Sequence, residues 1–204
     1  MIQNTEEWHK YRLEGIGASE APVIMGLSRY MTPYQLWEIK TSKKKAQESS
    51  NFIQSRGHEL EIRARAHYEL LHDEDMPPTV AEHKDFPWVR ASLDGWNEKL
   101  SRLLEIKFQG IVNGDHDRAL AGIIREDYMW QLTQQFIVTG ANEGHFVSYN
   151  EKHQKPFALI IVKPDIERCE ALFKELEAFW HLVKTDTPPE LTKKDIRRME
   201  KEAK

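Results

Sequence analysis

The sequence has a single cysteine, Cys169, among its 204 residues. One thiol cannot form an internal disulfide, and its place on the apolar face of a predicted helix favours a buried structural thiol over a nucleophile. Long apolar runs are also missing: the longest, "FALIIV" at residues 157–162, is far shorter than the roughly 20 residues of a transmembrane helix. The start, "MIQNTEEWHKY", has neither the basic nor the apolar part of a secretory leader. We therefore expect no membrane anchor and a reducing cytoplasm.

An excess of positive charge is absent as well. The chain has 29 Lys and Arg against 33 Asp and Glu, so its net charge is −4. This excludes a protein that coats nucleic acid by bulk charge, but it leaves room for local basic segments. Such segments lie at residues 40–45, at the arginines 56, 63 and 65, and at residues 193–204. Each can be a solvated helix end or a local contact to an anionic partner, and the sequence leaves both open.

The first part of the chain predicts helices. "GASEAPVIMG" (17–26) has Ser19 at a candidate N-cap, and "MTPYQLWEIKT" has Thr32 as a cap before a proline. From Phe52 to His72, apolar residues recur at spacings of three and four, which indicates an amphipathic helix. The glycine in "RGHELE" is predicted to lie at the start of the helix, where the lack of a side chain would allow another group to come close to the backbone.

The second part alternates between strands and helices. "WVRASLD" and "RLLEIKF", joined by "DGWNEK", predict a β-hairpin, and "DYMWQLTQQFIVTG" predicts a helix that ends at Gly140. "GHFVSYN" and "KPFALIIVKPD" predict strands, residues 166–185 a helix, and the end of the chain a charged helix. Residues 108–127, with "DHD" at 115–117, have no clean period and predict a solvated surface excursion. Together these elements predict an α/β fold with a mixed central sheet flanked by helices.

Two carboxylates and one ammonium group meet in the predicted hairpin. In a strand, Glu105 and Lys107 project to the same side, roughly 7 Å apart at Cα, and Asp94 lies at the turn end of the partner strand. Two carboxylates that converge repel each other unless a cation lies between them, and hard oxygen ligands favour Mg²⁺. Metal-assisted phosphodiester hydrolysis is the chemistry that such a site performs, with Lys107 orienting or deprotonating the attacking water. An exposed, charged edge strand is the alternative that spacing alone leaves open.

Several motifs together resemble a known family. "WHKYRLEGIGASEAP" (8–22), "RGHELE" (56–61), "SLDG" with "LEIK", and "YMWQLTQQFIVTG" (128–140) are similar, in order, to those of phage lambda-type alkaline exonucleases. These enzymes belong to the viral recombinase family within the PD-(D/E)xK nuclease superfamily. The resemblance implies a restriction-endonuclease-like core and one nuclease domain over residues 1–204, with a charged helical tail at about 186–204.

The resemblance also implies roles for particular residues. Asp94, Glu105, the backbone carbonyl of Ile106 and Glu61 match metal ligands, although Glu61 can equally form a surface ion pair with Arg65. The remaining matches are Lys107 as the catalytic lysine, Gln131 as a glutamine that contacts the metal-bound water or the scissile phosphate, and Arg12 and Ser19 at a terminal 5′-phosphate. Gln135 follows Gln131 by one turn on the same helix face, and both glutamines can equally be polar positions that flank a buried stripe. The implied cofactor is Mg²⁺, replaceable by Mn²⁺ and present as two ions.

The implied activity is digestion of one strand of linear double-stranded DNA from a 5′-phosphorylated end, in the 5′-to-3′ direction. A 3′ overhang then serves recombination by strand annealing. A ring-shaped homotrimer around the DNA and a phage single-strand annealing protein are the implied partners. Two alternatives remain: a restriction-type endonuclease with the same metal residues, and a non-catalytic DNA-end-binding protein whose aromatic residues stack on bases.

Overall fold

The structure, a computed structural model, describes residues 5–44, 51–108 and 114–202. Side chains are described for these residues except 6, 8, 9 and 51–56. Parts of four predicted features therefore lie outside the described residues: residue 45 of the first basic segment, the side chain of Arg56, residues 109–113 of the predicted excursion, and residues 203–204 of the charged tail. None of the described helices is long and apolar enough to cross a membrane.

Helices and strands follow one another through the whole described chain. The helices are α1 (Glu6–Leu13), α2 (Ala21–Ile24), α3 (Pro33–Lys40), α4 (Asn51–His72), α5 (Asp115–Leu120), α6 (Glu126–Thr139), α7 (Ile166–Lys184) and α8 (Lys193–Glu202). The strands are β1 (Ile16–Gly17), β2 (Thr79–Glu82), β3 (Val89–Leu93), β4 (Gly95–Asn97), β5 (Arg102–Phe108), β6 (Glu143–Tyr149) and β7 (Phe157–Val162). A 3₁₀ turn, Ala18–Glu20, links β1 to α2. The predicted α/β class with a mixed sheet flanked by helices is confirmed, with the strands divided between two sheets rather than gathered in one central sheet.

The strands form two mixed sheets. Three strands follow the order β1-β3-β2, with β1 parallel and β2 antiparallel to β3. The other four follow the order β4-β5-β6-β7, in which β5 and β6 are parallel and the outer pairs are antiparallel. The chain passes from the first sheet to the second at Asp94, the single residue between β3 and β4.

Helices cover both faces of the four-stranded sheet. On one face, Leu103 and Phe146 pack with Leu132 and Phe136 of α6. On the other, a second apolar cluster joins β5 and β6 to α4 and contains Ala64, Tyr68, Leu104, Ile106 and Val147. Because both faces are covered, four successive residues of β5, 103–106, are buried, which a strand with one wet face would not show.

Apolar residues of the smaller sheet pack against α7. Val89, Ala91 and Leu93 alternate inward along β3 and share a cluster with Leu172 and Leu176 of α7. Such an alternation of buried and less buried residues is the pattern of a strand that packs one face on the core. The helices at 33–40, 126–139 and 166–184 also agree with their predictions, and Thr32 caps α3 by accepting a hydrogen bond from the backbone N–H of Gln35 at 3.2 Å.

The predicted hairpin is wrong in its pairing. We expected "WVRASLD" to pair with "RLLEIKF", but β3 belongs to the smaller sheet, and the partner of β5 is the short β4, through Gly95↔Leu104 and Asn97↔Arg102. The residues of "DGWNEK" thus supply a strand rather than only a turn. The reason is that β3 is already paired on both sides, by β1 and β2, so its hydrogen bonds are not available to β5.

Two local predictions near the N-terminal helices are also wrong. Ser19 is not an N-cap, because it lies inside the 3₁₀ turn, and the backbone N–H of Gly17 donates instead to the Glu20 side chain at 2.9 Å. Gly57 does not begin a helix but lies inside α4. Its permissive backbone is therefore not needed for a turn there.

Residues 115–117 are not a solvated excursion. Asp115 and His116 are buried in α5, and only Asp117 is exposed. The His116 ring bonds Ser148 on β6 at 2.9 Å and the backbone carbonyl of Lys155 at 2.7 Å, while Asp115 accepts from Arg125 at 2.6 Å. A buried carboxylate requires a charged or hydrogen-bonded partner, and Arg125, distant by ten residues, provides it.

Candidate active site

A cleft of about 490 Å³ collects most of the residues that the sequence singled out. It opens where the smaller sheet, the larger sheet and α4 meet. Every predicted site residue except Gln135 lines it: Arg12, Ser19, Glu61, Asp94, Glu105, Ile106, Lys107 and Gln131. Residues that are 119 positions apart in the sequence therefore share one cavity.

Asp94 lies against the exposed edge of β5. Its Oδ2 accepts a hydrogen bond from the backbone N–H of Ile106 at 2.7 Å. The pairing of β4 with β5 ends at Leu104, so β4 does not use the next N–H on that edge of β5, which is that of Ile106. Asp94 accepts from this group instead. Within a strand, the N–H and C=O of one residue point to the same edge, so the Ile106 carbonyl faces the Asp94 side of the cleft. Asp94 and this carbonyl are thereby neighbours, as a shared cation would need.

Glu105 is held by three donors although it is almost fully buried, with 2% exposure. Its Oε1 accepts from Gln131 Nε2 at 2.8 Å and contacts Lys107 Nζ at 2.5 Å. Its Oε2 accepts from Gln135 Nε2 at 2.5 Å. The two glutamines lie one turn apart on α6, so a single helix face orients both carboxylate oxygens. Glu105 and Lys107 lie on the same side of the strand, as the spacing predicted.

The charges of the cleft shift the pKa values of its central groups. Burial raises the pKa of Asp94 well above its ordinary value, and the neighbouring carboxylates Glu105 and Glu61 raise it further. For Lys107, burial acts to lower the pKa, but Glu105 and Asp94 outweigh it, and the pKa is raised. Without a metal ion, the carboxylates therefore repel one another, and the charged lysine offsets only part of this repulsion.

Glu61 reaches the cleft from α4 and also forms the ion pair that the sequence left open. Arg65 Nη1 lies 3.2 Å from Glu61 Oε1, and the same nitrogen donates to the backbone carbonyl of Asp94 at 3.1 Å. Arg65 therefore links α4 to the junction between the sheets. Glu61 can form this ion pair and also act on Asp94, because the charge of Glu61 in this position raises the pKa of Asp94.

Two residues at the Arg12 end of the cleft were missed by the sequence reasoning. Glu20 lies 3.3 Å from Arg12 and 2.7 Å from Lys40, and both Glu20 and Lys40 are buried. Lys40 was counted only as part of a basic segment, and Glu20 only as a residue within a short helix. The available signal was helical periodicity. Lys40 lies one turn after Leu36 on α3, so the two residues share the buried face of the helix.

The donor set of the cleft suits a hard divalent cation. Two carboxylates, Asp94 and Glu105, and the Ile106 carbonyl offer oxygen ligands, which Mg²⁺ and Mn²⁺ prefer. Across residues 5–44, 51–108 and 114–202, no three His, Cys, Asp or Glu side chains gather closely enough to hold an ion by themselves. A bound ion would thus depend on the backbone carbonyl and water in addition to side chains, as is usual for Mg²⁺.

The fold places the chain among proteins built like the alkaline exonucleases, with a restriction-endonuclease-like core. The structure superposes on LHK-Exo, an alkaline exonuclease from Laribacter hongkongensis, with a TM-score of 0.76 and 22% identity over 98% of this chain and 100% of the other. LHK-Exo in complex with dAMP gives a TM-score of 0.77 at 23% identity, with the same coverage. A phage related exonuclease from Haemophilus somnus 129PT gives 0.65 at 12%, over 84% of this chain and 94% of the other.

Residues 7–142 match the model of the YqaJ-like viral recombinase domain, and the chain belongs to this family. It is also 25% identical over 191 residues to the uncharacterized protein YqaJ of Bacillus subtilis strain 168. That match covers 86% of this chain but 55% of the relative, so the chain spans about half the length of the curated relative.

Proposed function

We propose that the chain is a Mg²⁺-dependent deoxyribonuclease that digests one strand of linear double-stranded DNA from a 5′-phosphorylated end. Digestion would run 5′ to 3′ and leave a 3′ single-stranded overhang for recombination by strand annealing. The observation that carries this proposal is the common cleft of Asp94, Glu105 and Lys107, with Arg12 at one end. The fold shared with an alkaline exonuclease that binds dAMP supports it, since a deoxynucleoside monophosphate is what an exonuclease releases.

In this proposal, Asp94, Glu105, the Ile106 carbonyl and Glu61 would hold the cation, and the family resemblance implies two such ions. When bound, Mg²⁺ neutralises charge that develops on the scissile phosphate and acidifies a water molecule. Bringing such a cation to the cleft would also relieve the repulsion that raises the Asp94 pKa.

The protein's own side chains have separate tasks. Lys107, charged and next to Glu105, would orient the attacking water and offset the phosphate charge. Gln135 has no access to the cleft, so its proposed task is to fix the Glu105 carboxylate from behind. Gln131 lines the cleft and donates to the same carboxylate, so its proposed task is to hold Glu105 and to contact the scissile phosphate.

Selection of a 5′ end is assigned to Arg12 and Ser19. Both line the cleft that contains the carboxylates, which allows a terminal phosphate and a scissile bond to be engaged together. A guanidinium binds phosphate through charge-assisted hydrogen bonds, and a serine hydroxyl can add another. Because Ser19 is not an N-cap, its proposed contribution rests on its hydroxyl rather than on a capped helix start.

Residues 1–204 would form one nuclease domain with a charged helical tail. A homotrimeric ring around the DNA, a phage single-strand annealing protein as partner, and action in the cytoplasm of a bacterial host complete the proposal. These points come from the family resemblance, and sedimentation of the purified chain would test the ring.

A linear duplex with a distinct label on each end tests the reaction, with Mg²⁺ or a chelator and with a 5′-phosphate or a 5′-hydroxyl. We expect loss of the 5′ label first, dependence on Mg²⁺, and faster digestion of the phosphorylated end. A covalently closed circle should remain intact. Cutting of the circle would instead support a restriction-type endonuclease, and binding without any cleavage would support a DNA-end-binding protein.

A further inference from the structure

A buried ion pair lies beneath the Arg12 end of the cleft. Lys40 Nζ is 2.7 Å from Glu20 Oε2, and the Lys40 side chain is 1% exposed. The same ammonium group donates to the backbone carbonyls of Arg12 and Gly15, each at 2.6 Å. Its three donors are therefore used inside the protein, and Lys40 cannot touch DNA.

Glu20 is the unexpected member of this group. A carboxylate lies next to the guanidinium to which we assign a phosphate: Glu20 Oε1 is 3.3 Å from Arg12 Nη2. Its other oxygen accepts from the Gly17 N–H at 2.9 Å as well as facing Lys40. A lone carboxylate at this distance would cancel much of the positive potential that attracts a phosphate.

Lys40 changes the balance of charge at this end. Arg12 and Glu20 together have no net charge, and the buried ammonium group restores a net charge of +1 to the three residues. Because the surroundings are buried, the charge of Lys40 is poorly screened by solvent and acts on the cleft above it.

We propose that Lys40 is a positioning residue for 5′-end selection: it neutralises Glu20, so that Arg12 keeps its charge for the terminal phosphate. This inference rests on the proposed function, since it concerns the site to which that function assigns the 5′-phosphate.

Three variants test the proposal on the full-length chain: Lys40→Met, Glu20→Gln and the double variant. The readout is the ratio of digestion rates on otherwise identical duplexes with a 5′-phosphate or a 5′-hydroxyl. Lys40→Met should lower this ratio about tenfold or more, because a charged hydrogen bond to phosphate is weakened. The double variant should restore it towards the wild-type value, since removing the carboxylate charge makes the Lys40 charge unnecessary. Lys43→Met is the matched control. Lys43 follows the same helix, but it is exposed and forms an ion pair with Asp186, so this variant should leave the ratio unchanged.

The rescue separates electrostatics from packing. If Lys40 only braced the carbonyls of Arg12 and Gly15, Glu20→Gln could not repair its loss, and a double variant as poor as Lys40→Met overturns the proposal. Should Lys40→Met not fold, Glu20→Gln alone decides, since it leaves the Arg12 charge in place. It should keep the wild-type ratio or exceed it, and a lower ratio overturns the proposal. Wild-type protein that digests linear duplex without favouring the phosphate would contradict the phosphate assignment in the proposed function, independently of these variants.

Discussion

The Asp94 carboxylate and the backbone N–H of Ile106 are joined by a 2.7 Å hydrogen bond that crosses from one sheet to the other. Asp94 is the residue at which the chain leaves β3 and enters β4, so the candidate active site lies at a joint in the architecture.

Lys107→Ala should abolish cleavage while DNA binding persists. We expect the digestion rate to fall by about 100-fold or more, because Lys107 donates next to the proposed water and phosphate positions and contacts Glu105. Digestion of labelled linear duplex and a binding assay with chelator measure the two properties. Lys99→Ala, in the exposed turn between β4 and β5, is the control and should behave as wild type. Unchanged cleavage by Lys107→Ala would refute its assigned role.

Asp94→Asn should stabilise the metal-free protein at alkaline pH. The folded-state pKa of Asp94 is raised, so ionising this group costs stability once the pH exceeds its unfolded pKa, and metal-free wild type should become less stable as the pH rises. Asparagine can still accept from the Ile106 N–H, and removing the unpaired charge should contribute about 1–3 kcal/mol.

Thermal unfolding at pH 5 and pH 8, with chelator and with Mg²⁺, measures the effect of Asp94→Asn. The advantage of the variant should be larger at pH 8 with chelator. Mg²⁺ should raise the melting temperature of wild type and have little effect on the variant, since a ligand stabilises the state that binds it. Equal Mg²⁺ stabilisation of both proteins would argue against Asp94 as a ligand.

Gly95→Ala should loosen the joint. An added Cβ would lie 2.8 Å from Met76 Cβ, 3.0 Å from the Met76 carbonyl and 3.1 Å from Leu104 Cβ. Relieving these contacts should cost about 1–3 kcal/mol and shift the neighbouring Asp94, so cleavage should fall together with stability. Urea unfolding measures the first effect and the digestion assay the second.

Gly57→Ala is the matched control for Gly95→Ala. A Cβ at this helical position meets no atom within 4 Å in the part of the chain that the structure describes. Alanine should therefore stabilise α4 by about 0.5–1 kcal/mol. Destabilisation at Gly57, or none at Gly95, would contradict the packing described for the two positions.

Glu143→Gln should destabilise the protein at neutral pH and matter little in acid. The pKa of Glu143 is lowered to about 2, first by its hydrogen bond from Lys163 and then by those from His145 and Arg102, although burial opposes them. A lowered pKa means that the stabilisation is present above the unfolded value of about 4.5 and is lost as the pH falls towards 2. We expect about 1 kcal/mol at pH 7, because Lys163 is largely exposed and solvent screens part of the interaction.

Urea unfolding at pH 7, 4 and 2.5 measures the Glu143 effect. The difference between wild type and Glu143→Gln should shrink in that order. A difference that stays constant would show that Glu143 contributes through shape or hydrogen bonding rather than through its charge.

Much of the secondary structure could be predicted from the sequence, because it is written in local patterns. A cap and a proline mark α3, a 3.6-residue period marks α6 and α7, and an alternating pattern marks β3. The same-side relationship of Glu105 and Lys107 follows from strand geometry alone. The composition likewise excluded an internal disulfide and a long apolar span.

The pairing of strands and the partners of buried charges were decided by tertiary structure. β3 joins β1 and β2 rather than β5, since strand partners depend on which edges are free, and no local pattern records that. Asp115, Glu20 and Lys40 are buried because their partners come from distant parts of the chain, whereas local polarity predicts exposure. The sequence determined which side chains could do chemistry at the strand, and the packing of two sheets on α4 and α6 decided which of them meet in one cleft, because bringing distant charges together requires the whole folded core.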